Sequence, residues 1–209
     1  FKLVGGSYRQ EFVTDINGEI DLSKLTPGAY EVRELEAPDG YLIDDAVRVV
    51  QVNPDENANF VFTNTPKPSL RLIKTSSDGT RLGGVHFRIA RIEDGTHYLD
   101  RITDDNGEIN IANLEPGVYS IKETATVADH ILDLQEYHVE MFPGQTSTIT
   151  IENQKRPNLI VYKKDADTGD PIPDTVFTVR AADGHSVDEI KTDSQGRATL
   201  TNLLPGVYE

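Results

Sequence analysis

The chain has 209 residues, 37% hydrophobic and 26% charged, an ordinary composition for a folded protein with enough apolar material for a core. Its 20 Lys+Arg against 35 Asp+Glu give a formal net charge of -15, a field that repels phosphate backbones and anionic lipid, which excludes nucleic-acid binding and membrane contact within this stretch. With no cysteine, disulfides, thiol catalysis and cysteine zinc sites are excluded together. No run approaches the ~20 apolar residues of a membrane helix, and any export signal or anchor is expected outside this stretch.

An internal repeat organises the chain. Thr14-Asp15-Ile16-Asn17-Gly18 through Leu25-Thr26-Pro27-Gly28-Ala29-Tyr30 recurs from Thr103 to Tyr119 and again from Thr192 to Tyr208. Tyr30, Tyr119 and Tyr208 stand at equal intervals of 89 residues, as do Thr14, Thr103 and Thr192. Proline-bearing joints at Thr65-Pro66-Lys67-Pro68 and Gln154-Lys155-Arg156-Pro157 separate three units. Residues 1–66 read as a repeat lacking its first strand, since Phe1 aligns with Phe87 and Phe177. Residues 67–156 are a complete repeat, and 157–209 a repeat lacking its closing strands. The chain therefore reads as a window on a longer array.

In chain order, unit one offers Tyr30, Val32 and Glu34, then Phe60, Phe62 and Asn64, each set at the period of two that strands require. Unit two offers Leu70, Leu72 and Lys74; Phe87 and Ile89; Ile109 and Ile111; Tyr119, Ile121 and Glu123; Tyr137, Val139 and Met141; and Ile149, Ile151 and Asn153. Unit three opens with Leu159, Val161 and Lys163. Turn signals such as Asp105-Asn106-Gly107 and Pro116-Gly117 separate these runs, and no helical period is sustained. The expected fold is all-β, a tandem array of immunoglobulin-like β-sandwiches.

Three residues break the pattern. If alternation holds to the strand ends, Lys74, Glu123 and Asn153 point inward beside leucine, tyrosine and isoleucine. Unpaired burial of an ion costs several kcal/mol, so such groups persist only when paired, neutralised or used. One reading is structural: a buried Lys-Glu bridge completed by asparagine, or frayed ends whose polar tips reach water. The other is chemical. Desolvation lowers an amine's pKa and raises a carboxyl's, so a buried pair can exist as neutral amine and neutral acid. The amine is then a nucleophile, the asparagine carboxamide an electrophile, and the acid, hydrogen-bonded to the amide oxygen, moves protons to departing ammonia. The product is a Lys74-Asn153 isopeptide crosslink between first and last strands.

The run Leu70-Arg71-Leu72-Ile73-Lys74, the element from Pro116-Gly117-Val118-Tyr119 to Glu123, and the terminal Asn153 resemble the collagen-adhesin B-type (CnaB, prealbumin-like) repeat of Gram-positive surface proteins and pilins. In unit one, Glu34-Leu35-Glu36-Ala37-Pro38-Asp39-Gly40-Tyr41 is similar to that family's Glu-Thr-x-Ala-Pro-x-Gly-Tyr box, with Leu35 in the threonine place. The resemblance implies a prealbumin-like fold and an isopeptide triad, carried over as Lys74 and Asn153 for the crosslink with Glu123 as proton shuttle. Unit two departs from the box after Glu123, running Thr124-Ala125-Thr126-Val127-Ala128-Asp129, which leaves its loop path open. Glu34 and Asn64 lack a lysine, and Lys163 lacks a glutamate and asparagine, so these are incomplete triads.

The resemblance further implies structural stalk repeats of an extracellular, cell-wall anchored adhesin or pilin, with no cofactor and no turnover beyond self-crosslinking. Its partners would be neighbouring repeats of the same polypeptide and a host extracellular protein at a tip outside this stretch. Repeats that grip a host protein themselves, or an accessory transthyretin-like module of an enzyme, are the alternatives. Asp165, Asp167 and Asp170 look superficially like a calcium loop but lack the EF-hand's glycine at position six, so a polar hairpin is expected. His86, His97, His130, His138 and His185 show no metal-ligand spacing and read as surface or packing residues. No Ser-His-Asp order is evident.

Overall fold

The computed structural model describes residues 1–6, 8–94, 98–182, 184 and 186–209. By spatial packing the chain divides into two compact units. One comprises Phe1–Arg71, Asn110–Val118 and Glu140–Ser147; the other comprises Leu72–Ile109, Tyr119–Val139 and Thr148–Glu209. Among the described residues the only helical element is a single 3-10 turn, Ile92–Asp94, and everything else regular is strand, as the period of two requires.

Near the N-terminus lie β1 (Lys2–Gly5), β2 (Tyr8–Glu11), β3 (Gly28–Arg33) and β4 (Arg48–Val52), which form an antiparallel sheet in the order β2-β1-β3-β4. Leu3 stands opposite Val32 and Tyr30 opposite Val50, so the inward face builds a core of Leu3, Tyr30 and Val32 with Phe1, Phe12 and Phe62 against it. Gly5 lies so close to Tyr30 that a Cβ there would sit 2.5 Å from the ring, which explains the small residue at that strand end. Residues 60–64 form no strand, contrary to the alternation of Phe60, Phe62 and Asn64. A strand needs a ladder partner, and among the described residues this segment has none.

The next strands are β5 (Ser69–Ser76), β6 (His86–Arg91), β7 (Tyr98–Ile102), β8 (Glu108–Ile111), β9 (Gly117–Ala125), β10 (Glu136–Met141) and β11 (Thr146–Asn153). They form two sheets, β10-β9-β6-β7 and β11-β5-β8. The order of the first repeats that of β4-β3-β1-β2, as equivalent sequence repeats should. β5 and β11 run in the same direction, because Ser69 N–H donates to Gln145 O and Ser77 N–H to Asn153 O, an equal advance along each chain. Leu72, Phe87, Ile89, Ile121 and Ile151 turn inward and are almost fully buried, each stabilising by roughly 1.5–3 kcal/mol. β7 was not signalled by alternation: Asp100 and Arg101 interrupt the apolar residues of this edge strand.

Last come β12 (Leu159–Tyr162), β13 (Val176–Arg180), β14 (Ser186–Lys191) and β15 (Arg197–Leu200), paired as β12-β15 and β13-β14. Val179, Ile190 and Ala198 form their core, with Leu159, Val161 and Phe177 packed on it.

Candidate functional site

Alternation along β5 puts Leu70, Leu72 and Lys74 on one buried face, and Lys74 is among the largest fully buried side chains of the described residues. Alternation along β9 turns Tyr119, Ile121 and Glu123 inward, and β11 ends with Ile151 and Asn153 buried. The loop at Asp105-Asn106-Gly107 fixes the lysine's place. Lys74 N–H donates to Gly107 O at 2.7 Å, and Gly107 has φ 69°, where a Cβ would meet the Lys74 carbonyl oxygen at 2.7 Å.

The three side chains converge. Lys74 Nζ donates to Asn153 Oδ1 at 2.5 Å and to Ile151 O at 3.2 Å, and lies 3.3 Å from Glu123 Oε2. The ammonium thus faces three oxygens and donates a hydrogen bond to two of them. Asn153 Nδ2 donates to Glu123 Oε1 at 2.6 Å and to Thr126 Oγ1 at 2.8 Å. Glu123 Oε2 makes no hydrogen bond, although its charge neighbours the amine. Burial pushes the Lys74 amine below its ordinary value, and the nearby Glu123 charge opposes that shift.

The contact of acid and amide differs from the sequence expectation. Glu123 meets the amide nitrogen, not the oxygen, because a carboxylate only accepts hydrogen bonds and the lysine only donates them. The oxygen therefore turns to the amine and the leaving nitrogen to the acid.

In the N-terminal repeat Glu34 is buried and its Oε2 accepts from Asn64 Nδ2 at 2.6 Å and from Asp44 N–H at 2.7 Å. Asn64 Nδ2 also donates to Leu42 O at 3.0 Å, and among the described residues no lysine joins the pair. Lys163 lies just past β12, half-buried, with its N–H on Gly196 O as Lys74 has its own on Gly107 O.

Two groups were not legible beforehand. One is Thr126. The other is a chain of hydrogen bonds in which His130 Nε2 meets Ser76 Oγ at 3.0 Å and Nδ1 meets Asp129 Oδ1 at 2.8 Å. No Ser-His-Asp order is visible along the chain because Ser76 lies 54 residues from an adjacent Asp-His pair. Ser76 and His130 are buried, so the hydroxyl meets no substrate; the chain fastens β5 to the segment after β9. Beside it Lys155 pairs with Asp78 at 2.5 Å and holds that carboxyl well below the usual range. His86 and His138 are exposed, and His97 and His185 lie outside the described residues. Among the described residues no group of three or more side chains could hold a metal ion. Asp165 closes a turn, its Oδ1 accepting from the N–H groups of Asp167 and Thr168, and Asp104 does the same for Asn106 and Glu108.

Colossin-A of Dictyostelium discoideum is 23% identical to this chain over 231 residues, covering 93% of the chain and 2% of Colossin-A. The chain thus spans a small part of that relative. Among solved structures, the Bacillus anthracis TIE protein is 27% identical with a TM-score of 0.49, covering 99% of this chain and 40% of that one. A streptococcal ancillary pilin is 24% identical with a TM-score of 0.43, covering 88% and 65%. The family model of the SpaA prealbumin-like fold domain matches residues 1–66, 68–155 and 157–209, and with nearly every residue so accounted for, the chain belongs to the family of SpaA prealbumin-like fold domains.

Proposed function

We propose that the chain forms stalk repeats of a Gram-positive cell-surface adhesin or pilin, divided as 1–66, 67–156 and 157–209. In this reading the central repeat ties its first strand to its last by a self-made Lys74–Asn153 isopeptide bond. The convergence of a buried amine, a buried amide and a buried carboxyl supports it above all.

The side chains supply the chemistry in balance. Glu123 Oε2, free of hydrogen bonds and 3.3 Å from Nζ, takes one proton from the ammonium and leaves a neutral amine. Burial favours that transfer because it disfavours the charge on the amine. The amine's lone pair attacks Asn153 Cγ, forming the C–N bond while the carbonyl π pair moves to Oδ1. Glu123 gives its proton to Nδ2, the C–Nδ2 bond breaks, and ammonia leaves. Glu123 then takes the surplus proton from Nζ and ends as a neutral acid beside a neutral amide. No cofactor enters and the reaction runs once, so the chain is not an enzyme in the turnover sense.

The stalk partners are neighbouring repeats of the same polypeptide, outside the cell and anchored to its wall, with a host protein engaged at a tip beyond this stretch. Intact-mass measurement of the folded protein tests the bond. The expected mass is the sequence mass less one ammonia for the central repeat, and the full sequence mass would leave Lys74 and Glu123 as a buried ion pair only.

A further inference from the structure

The Asn153 amide has two N–H groups, and Glu123 Oε1 takes one of them. The second goes to Thr126 Oγ1 at 2.8 Å, from a residue just past β9 that is half-buried where Glu123 and Asn153 are almost wholly enclosed. The N-terminal repeat provides an internal control. There the asparagine again points its nitrogen at the glutamate, and the second N–H again finds an acceptor in the segment after the glutamate strand, the Leu42 carbonyl. No lysine joins that pair among the described residues, yet the amide faces the same way. The carboxylate and the second acceptor therefore suffice to set the orientation, and in the central repeat the amine adds to it.

We infer that Thr126 is a positioning residue for the crosslink: its hydroxyl holds the Asn153 amide with the leaving nitrogen toward Glu123 and the carbonyl toward Lys74. This rests on the isopeptide reading above. Without the hydroxyl, one buried N–H loses its partner, and the amide turns away from a geometry in which both proton transfers are short. Thr126 exchanges no proton with the reacting atoms.

The test follows newly made protein in cell-free synthesis, reading loss of ammonia by intact mass over time for the parent, Thr126→Val, Thr126→Ala and Thr126→Ser. Val matches the shape of threonine without the hydroxyl, and Ser restores the hydroxyl alone. The expected result is roughly tenfold slower bond formation in Val and Ala, with Ser within about twofold of the parent, in variants of unchanged far-ultraviolet circular dichroism. If Val does not fold, the Ala and Ser pair decides. A parent that crosslinks while the folded hydroxyl-free variant keeps pace overturns the role of Thr126 alone. A parent that never loses ammonia overturns the crosslink and this inference together.

Discussion

Removing the Glu123 carboxylate takes away the proposed proton relay and the charge that opposes the downward shift of the Lys74 amine. Glu123→Ala is expected to fold without the crosslink and to be about 3–5 kcal/mol less stable near neutral pH than the uncrosslinked chain that keeps the carboxylate, the cost of a buried charge without its partner. The pH dependence then has a definite sign. In that variant the folded state holds the lysine below its ordinary value of 10.5, so the unfolded chain binds more protons and stability rises with pH between the folded value and 10.5. Urea midpoints measured across that range check this, and a midpoint that does not rise would contradict it. Lys74, Glu123 and Asn153 were legible as inward-facing residues because strand period fixes the face of every second side chain. The direction of the Asn153 amide was not, since it depends on which neighbours only donate and which only accept. Thr126 is not legible in the sequence because it follows the end of β9, where alternation no longer says where a side chain points.

At the scale of elements, the loop ending at Gly107 sets the height of β5. Gly107→Ala would force an L-residue into positive φ and press a methyl on the Lys74 carbonyl and the Leu82 N–H. A loss of about 1–3 kcal/mol is expected, read as a lower denaturation midpoint, along with slower crosslinking of the displaced lysine. The His130 fastening makes a separate prediction. His130→Ala leaves the Ser76 hydroxyl without its ring partner, and a loss of about 1–3 kcal/mol should appear in thermal unfolding with the crosslink still formed. Most strands of the central repeat could be read from alternation and turn residues, since Leu70 to Lys74 and Tyr119 to Glu123 are unbroken patterns. The segment from Phe60 to Asn64 shows the limit of that reading. Its pattern is that of a strand, but pairing is a property of two segments, and here the second is lacking among the described residues.

For the whole molecule, the proposed bond closes a loop with a sequence separation of 79 residues. Treated like any covalent loop closure in the unfolded chain, it contributes about 4–5 kcal/mol. Asn153→Ala should therefore unfold at lower temperature and be cut faster by protease than the parent, and equal survival of the two would remove the bond's structural purpose. A mechanical consequence follows from the parallel course of β5 and β11. The chain enters the repeat at the start of β5 and leaves it at the end of β11, while Lys74 lies near the far end of the first strand and Asn153 at the far end of the second. With the proposed bond in place, tension applied through the chain on either side would pass up β5, across the side-chain amide and straight out beyond Asn153. The intervening residues, whose contour is about 270 Å at the extended spacing of a chain, hang outside the line of force as slack that pulling cannot pay out. A crosslinked stalk built of such repeats would transmit a tug from tip to base without lengthening.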